Sequence, residues 1–288
     1  MLYLKLFIKD IKNIPLYFKS MDFKSYIWFI KHPRIIRRWI LYSNAVFKTS
    51  GGKTIMTFQT TNNSVSFYIK TLWDLNVIKD IFLNALYAVN LKKNAILIDV
   101  GLNIGTTSIF FANQKNIEHV YGFEPFKDTY EQALNNISLL SSDIANKITA
   151  FNYGLSDKDA TIDVMYSSKD TGMMSVLPQN TENLINSGVK NVQKANVLIK
   201  SATKEIGEII SKTGLKIILK LDCEGSEFAI LDSLSKNNIL KCIDCILLEW
   251  HFKTPEQILD ILSDNNFISF HDNIAQTQGM LYAVNQKN

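Results

Sequence analysis

Ile96-Leu97-Ile98-Asp99-Val100-Gly101-Leu102-Asn103-Ile104-Gly105 decides the fold of this chain. An apolar run ends in an acid, and two glycines follow, four residues apart. The pattern predicts a buried parallel strand that closes in a tight turn and passes into an amphipathic helix from Ile104 to Asn113. Gly101 lets the backbone turn sharply and lets a ligand approach it closely. Gly105 lets the helix start against the strand. The N-terminus of that helix points into the crevice where open α/β sheets bind nucleotides.

The spacing excludes the commonest nucleotide sites. A dinucleotide fingerprint needs G-x-G-x-x-G, and a phosphate-binding P-loop needs a Lys directly after its second glycine. Neither is present. D-x-G-x-x-x-G has no groups placed to cradle a pyrophosphate, which suits a nucleoside ligand without phosphates, such as S-adenosylmethionine. The plain alternative is a strand-turn-helix with packing glycines. A second element follows about twenty residues on: His119-Val120-Tyr121-Gly122-Phe123-Glu124-Pro125. It reads as a strand ending in a carboxylate that can accept both ribose hydroxyls of an adenosine. A third, Leu219-Lys220-Leu221-Asp222-Cys223-Glu224-Gly225-Ser226-Glu227, delivers further acids to the same sheet edge.

Together these three motifs resemble those of FkbM-type methyltransferases, and the resemblance covers roughly residues 80 to 285. Leu102 stands where that family often has Ala, and Cys223 where it often has Val. The resemblance implies a class I S-adenosylmethionine-dependent enzyme with an α/β, doubly wound, seven-stranded Rossmann-like sheet whose last two strands form an antiparallel hairpin. It implies methylation of a hydroxyl on a glycan, lipid-linked sugar or natural product. It gives Asp99, Gly101, Asn103, Gly105, Glu124 and Asp222 as cofactor-binding candidates. Leu155 and Ser156, in Gly154-Leu155-Ser156-Asp157, fall where relatives hold the adenine.

Composition agrees with a folded domain. The chain has 288 residues, 47% hydrophobic and 20% charged, with a net charge of +4. That length carries a full α/β core with an extra segment. The charge is uneven: residues 1–48 hold ten Lys or Arg against Asp10 and Asp22. Such asymmetry points to an anionic partner for the basic part. Three cysteines make no disulfide framework, and Cys242 and Cys245 read as buried thiols of a reducing cytoplasm. Lys residues interrupt the N-terminal apolar stretch, which therefore does not read as a secretory signal. No run approaches the eighteen apolar residues of a membrane span.

The expected domains are a basic, mainly helical extension over 1–48, a hairpin and lead-in helix over 49–91, and the methyltransferase domain over 92–288. In the extension, a helix from Pro33 to about Phe47 sets Ile35, Ile36, Trp39 and Ile40 against Arg34, Arg37 and Arg38. Such a segment can lie on an anionic membrane surface, at the inner face of a membrane, or dock on a partner or the core. No stacking or groove-reading motif supports a nucleic-acid partner. Thr54–Phe58 and Val65–Ile69 read as a hairpin around Thr61-Asn62-Asn63, and Leu72–Leu91 as a helix. Regular strand-helix alternation from Ala95 predicts the parallel sheet. Ser167 to about Ala195 reads as a polar lid or substrate loop in which Met173 and Met174 can line an acceptor pocket. Thr254-Pro255-Glu256-Gln257 reads as a capping box with Pro at the first helical position.

Methyl transfer from a sulfonium is an in-line displacement, so the protein must position the acceptor and take its proton. Alternation puts Glu249 and His251 on one side of a strand, with Trp250 opposite. His251 and Glu249 rank ahead of Asp222 as the base, since an imidazole titrates nearest neutrality. Their plain reading is a mutual hydrogen bond or a helix cap. Asp222, Glu224 and Glu249 also form a candidate Mg²⁺ cage of oxygens. The acceptor is expected to be a small molecule or glycan. The competing function class is a catalytically silent S-adenosylmethionine-binding subunit that works through its N-terminal region.

Overall fold

A computed structural model describes residues 45–50, 53–60, 63–90, 92–167 and 192–286. Most of the basic extension, the tip of the first hairpin, and Met173 and Met174 lie outside the described residues. The chain divides into two compact units, Met1–Asn84 and Ala85–Asn288. No described helix is long and apolar enough to cross a membrane.

In the first unit, β1 (Val46–Ser50), β2 (Lys53–Gln59) and β3 (Ser64–Ile69) form an antiparallel sheet, followed by helix α1 (Leu72–Phe82). The expected hairpin is present as β2–β3. The expected helix to Phe47 is corrected at its end: Val46 and Phe47 belong to β1 and pair with Thr57 and Met56. β-branched and aromatic side chains on a half-buried pleat favour that outcome. The lead-in helix is shorter than Leu72–Leu91. Thr71 and Asp74 close a capping box at its start, and it ends at the Leu83 C-cap. Ala85 follows at φ 56°, outside the helical region.

The second unit runs through β4 (Ala95–Val100), α2 (Thr106–Ala112), β5 (Ile117–Phe123), α3 (Lys127–Ile137), the short α4 (Ser142–Ala145), β6 (Ile148–Phe151), β7 (Gly154–Ser156), β8 (Ala160–Ser167) and β9 (Val192–Ser201). It continues with α5 (Ala202–Ser211), β10 (Lys216–Leu221), α6 (Glu227–Lys236), β11 (Cys245–Trp250), α7 (Glu256–Asp264), β12 (Phe267–Ala275) and β13 (Gln278–Asn285). Seven strands form one sheet in the order β12-β13-β11-β10-β4-β5-β6. β10, β11, β4, β5 and β6 pair in parallel, while β13 runs antiparallel to both β11 and β12. The expected doubly wound sheet with its terminal hairpin is thus present.

Alternation along the central strands sorts the core. Ile96, Ile98, Ile217, Leu219, Ile246 and Leu248 face one layer, where Ile206 of α5, Phe228 and Leu231 of α6, and Ile258 and Leu262 of α7 pack. Helix α6 is masked in the sequence, because Glu227 reads as the end of an acidic motif and not as a helix start. Its buried Ile230, Leu231 and Leu234 carry the helical period. β9 corrects the C-terminal boundary of the expected loop: Val192–Ala195 pair with Ser167–Val164 in an antiparallel ribbon. β7 runs parallel to β9 beside it. The capping box at Thr254 is not formed: Pro255 is itself the N-cap, with no side-chain cap bond, and the helix begins at Glu256. Cys242 is exposed and Cys245 half-buried, against the expectation of two buried thiols.

The glycine turn shows why two residue positions cannot carry a side chain at equal expense. Gly101 and Gly105 both sit at φ +86°. A Cβ on Gly101 would stand 1.8 Å from the Asp222 carbonyl oxygen, whereas one on Gly105 would meet Ala133 at an ordinary 3.5 Å. Gly105→Ala should therefore cost only the left-handed backbone penalty, about 1–2 kcal/mol. Gly101→Ala should cost distinctly more, since two backbones must separate. Urea unfolding of both variants checks this, and equal losses would refute the close approach of β4 to the Asp222 turn.

Candidate active site

The carboxyl ends of β4, β5 and β10 open onto a cleft enclosing about 580 Å³, its open mouth included. Gly101, Asn103, Glu124, Leu155, Asp222 and Glu224 are among its lining residues. Sequence reasoning had singled out every one of these six. Asp99 and Gly105 stand behind the turn instead of in the cleft wall, and Ser156 turns its hydroxyl to Asp157 Oδ1 at 3.3 Å.

Each lining group is held from below. Gly101 and Leu102 donate their N–H groups to the Phe123 carbonyl, tying the turn to β5. Asn103 adopts φ 52°, and its side-chain oxygen accepts the Ile104 N–H at 2.7 Å. A short amide side chain that bonds locally is what that region of backbone space tolerates. Glu124 is buried. Its Oε2 accepts the Asn103 N–H at 2.9 Å and its Oε1 the Phe126 N–H at 3.0 Å. Burial pushes its carboxyl up to about 7, against the pull of those two N–H groups and of Lys220. Each oxygen keeps a lone pair for a hydroxyl in the cleft.

Beneath the turn lies an ion pair that sequence reasoning missed. Lys220 is the register partner of Asp99 across β10 and β4. Their side chains are 2% and 0% exposed, with Nζ 3.1 Å from Asp99 Oδ1. Lys220 Nζ donates to the Gly101 carbonyl at 2.6 Å and stands 3.6 Å from Asp222 Oδ2. Ser108 donates to Asp99 Oδ2 at 2.7 Å. Burial disfavours the ammonium, but Asp99 and Asp222 more than offset it, so its pKa is raised. Tyr87 completes the group. Its hydroxyl donates to Asp222 Oδ2 at 3.2 Å, and its ring centroid is 5.8 Å from Nζ. The available signal was a lysine inside Ile217-Ile218-Leu219-Lys220-Leu221, since a strand buried on both faces admits a charge only when it is paired.

A second cluster stands at the ends of β10 and β11. The Asp222–Gly225 turn places Glu224 at φ 56°. Glu227, the first residue of α6, is fully buried, and its carboxylate accepts the N–H groups of Cys223 and Gly225, each at 2.8 Å. Glu227 Oε1 also lies 3.2 Å from His251 Nδ1. On the other side of the ring, Nε2 is 3.6 Å from Glu249 Oε1 and 3.9 Å from Glu224 Oε1. Burial opposes charging of this imidazole, but Glu227, Glu249 and Glu224 outweigh it and push His251 up to about 11. Burial raises Glu224 to about 8, with His251 pulling it down and Asp222, Glu227 and Glu249 adding to the rise. Gln278 Nε2 donates to Glu249 Oε1 at 2.8 Å.

Two expectations change here. Glu249 and His251 do share one side of the strand, with Trp250 buried opposite. Yet an imidazole ringed by three carboxylates already holds its proton, so His251 is not poised as a base near neutral pH. The all-oxygen Mg²⁺ cage of Asp222, Glu224 and Glu249 is not formed either. The His251 ring lies between Glu249 and Glu224, and among the described residues the donor atoms that come together are those of Asp222, Glu224 and His251, not of Glu249.

Comparison with known proteins adds to this geometry. Residues 99–269 match the family model described as the methyltransferase FkbM domain. The methyltransferase sdnD of Sordaria araneosa is 23% identical over 211 residues, 66% of this chain and 81% of that protein. The solved structure of methyltransferase FkbM from Methylobacillus flagellatus KT aligns over 73% of this chain with a TM-score of 0.46 and 15% identity. This chain spans 53% of that protein's length. TrmK of M. capricolum, solved with S-adenosylhomocysteine, aligns over 71% of this chain and 67% of its own, with a TM-score of 0.39 and 12% identity.

The buried ion pair makes a stability prediction. Lys220→Met leaves the Asp99 carboxylate buried without its cation and should cost about 3–5 kcal/mol. Adding Asp99→Asn removes the stranded charge, so the double variant should be more stable than the two single losses summed, by about 1–3 kcal/mol. Chemical denaturation of the four proteins of this cycle measures the coupling. Strict additivity would mean that the two side chains do not act as a pair.

Proposed function

Because the chain belongs to the FkbM methyltransferase family, we propose that it transfers a methyl group from S-adenosylmethionine to a hydroxyl oxygen of a glycan, lipid-linked sugar or natural product. The observation that carries this reading is the cleft at the ends of β4, β5 and β10, with Glu124 at one end and Asp222 and Glu224 at the other. Its residues fit a nucleoside without phosphates. Glu124 offers acceptor oxygens for ribose hydroxyls, Phe126, Leu155 and Ile199 supply apolar walls for a base, and no Lys or Arg is among the described residues lining the cleft.

When bound, S-adenosylmethionine supplies an already activated methyl group. The chain's own residues then hold the acceptor oxygen in line and take its proton. Glu249 is the group for that proton. It lies at the end of β11, is oriented by Gln278, and stands 3.6 Å from a His251 ring that stabilises its negative charge. Asp222, fixed by Lys220 and Tyr87, closes the cleft between the two halves. Residues 1–48, with ten basic side chains against two acidic ones, are suited to an anionic membrane surface or a protein partner near such an acceptor.

Glu124→Gln should weaken S-adenosylhomocysteine binding by roughly 1.5–3 kcal/mol, the worth of a hydrogen bond to a charged acceptor. Since burial pushes the Glu124 carboxyl up to about 7, it is protonated at lower pH and donates where it should accept. Wild-type affinity should therefore tighten as pH rises from 6 to 8, and the Gln variant should lose that slope. Calorimetric titration decides. A folded Gln variant with wild-type affinity removes Glu124 from the cofactor site.

Glu249→Gln should lower kcat by roughly a hundredfold, the usual contribution of a positioned base. Its affinity for S-adenosylhomocysteine should stay unchanged. Transfer of a labelled methyl group to a panel of cell-envelope glycans measures turnover. Wild-type turnover in this variant would move the proton acceptor elsewhere.

A further inference from the structure

Asp222, Glu224 and His251 each offer one donor atom, and these three atoms lie within 4.8 Å of one another. Three atoms so spaced share a point no more than about 2.8 Å from each. Small side-chain adjustments bring them to the roughly 2.0–2.2 Å of metal–nitrogen and metal–oxygen bonds. The donors are mixed, one imidazole and two carboxylates. That set suits a first-row divalent transition cation, whereas Mg²⁺ and Ca²⁺ take oxygen donors.

The imidazole supplies the observation that goes beyond a group of acids. His251 is only 6% exposed. Its Nδ1 is bound to Glu227, which is itself locked by two backbone N–H groups. That leaves Nε2 as the ring's ligand atom, and it faces Glu249 and Glu224 at 3.6 and 3.9 Å. A carboxylate on one ring nitrogen that fixes tautomer and orientation for the other is the arrangement that supports a metal-bound histidine. Charge points the same way. Three carboxylates, Glu224, Glu227 and Glu249, gather around one imidazole with an Asp222 oxygen close by, while Lys220, the cation nearest Asp222, is shared with Asp99.

We propose that Asp222, Glu224 and His251 bind one divalent first-row transition cation, such as Mn²⁺ or Co²⁺, which displaces the Nε2 proton of His251 to solvent, while Glu227 accepts the Nδ1 proton and is the positioning residue for the histidine. Asp222 and Glu224 line the proposed cofactor cleft, so the ion would sit at its acceptor end and offer a coordination position to the acceptor oxygen. The donor set is independent of which acceptor is used.

The test uses the full chain, stripped with chelator and then titrated with Co²⁺, Mn²⁺ and Mg²⁺. Calorimetry, the visible absorption of Co²⁺ and thermal unfolding are the readouts. The expected result is one saturable site for Co²⁺ and Mn²⁺, visible Co²⁺ bands, a raised unfolding midpoint, and markedly weaker Mg²⁺ binding. His251→Ala and Glu224→Gln should abolish the site. Glu227→Gln, which keeps the ligands but loosens the ring, should weaken affinity by about 10–100-fold. Circular dichroism confirms that each variant is folded. Should His251→Ala fail to fold, His251→Gln takes its place.

Absence of saturable binding up to millimolar Co²⁺ and Mn²⁺ overturns the proposal. So does binding that survives in folded His251 and Glu224 variants, which would put the ion elsewhere. S-adenosylhomocysteine is titrated into the same samples. Cofactor binding without metal binding defeats this inference alone, while metal binding without cofactor binding defeats the methyltransferase reading alone.

Discussion

A single buried ammonium holds the functional end of this sheet together. Lys220 sits one residue before the end of the parallel strand β10, on a face where an unpaired charge would be prohibitive. It is tolerated because everything around it is an acceptor: Asp99 directly across the ladder, the Gly101 carbonyl beyond the strand end, and Asp222 two residues along its own chain. The neighbour of Asp99 on the other side is Gly122, where a Cβ would run into Leu102 at 2.7 Å. The charge pair is thus flanked by a position with no side chain, and Leu102 packs over it. Gly101 cannot bear a Cβ because β10 comes so close that the Asp222 carbonyl occupies its place. The turn, the acid and the lysine form one unit, and the geometry of the cleft follows from it.

Seen from that unit, the two halves of the site are built differently. On the β4–β5 side the acids are neutralised or held by backbone. Asp99 has Lys220 and Ser108, and Glu124 has two N–H donors. On the β10–β11 side, Glu224, Glu227 and Glu249 all lean on His251. The first half is a rigid cradle with defined acceptors. The second is an acid-rich edge whose order depends on one imidazole, which in turn depends on Glu227 at the head of α6.

Much of this was legible in the chain itself. Asp99, Gly101, Gly105 and Glu124 mark strand ends by residue type and spacing, because a parallel sheet aligns its strand ends along one edge whatever the loops do. The parallel sheet follows from that regularity, whereas its antiparallel finish was implied by the resemblance to the methyltransferase family. Groups whose role depends on distant partners were harder to see. Lys220 reads as one more charge until its register with Asp99 is known. Tyr87 reads as part of a helix, yet the helix stops at Phe82 and the following segment carries the phenol to Asp222. Glu227 looked like the tail of a motif and is the buried anchor of the cluster. His251 shows the limit most plainly: its type suggests a base, and only the count of carboxylates around it shows why its pKa is pushed far above the usual imidazole range.

The acidity of the site is a matter of layout and not of composition. The chain carries a net charge of +4, and its positive surplus lies in residues 1–48. Parallel strands deliver their C-terminal residues to one edge, so Asp222 and Glu224, from the turn after β10, converge with Glu249 at the end of β11. Lys220, the buried cation beneath that edge, is engaged inside the sheet, where it contributes to holding β4 against β10. A lysine one residue later would face the opposite, apolar layer of the sheet and leave Asp99 uncompensated. The same two-residue period that hides the lysine beside Asp99 places Asp222 beyond the strand end on the same face. Structural support and a negatively charged cleft therefore arise from one alternation, Lys220 then Asp222, and neither can be shifted along β10 without losing the other.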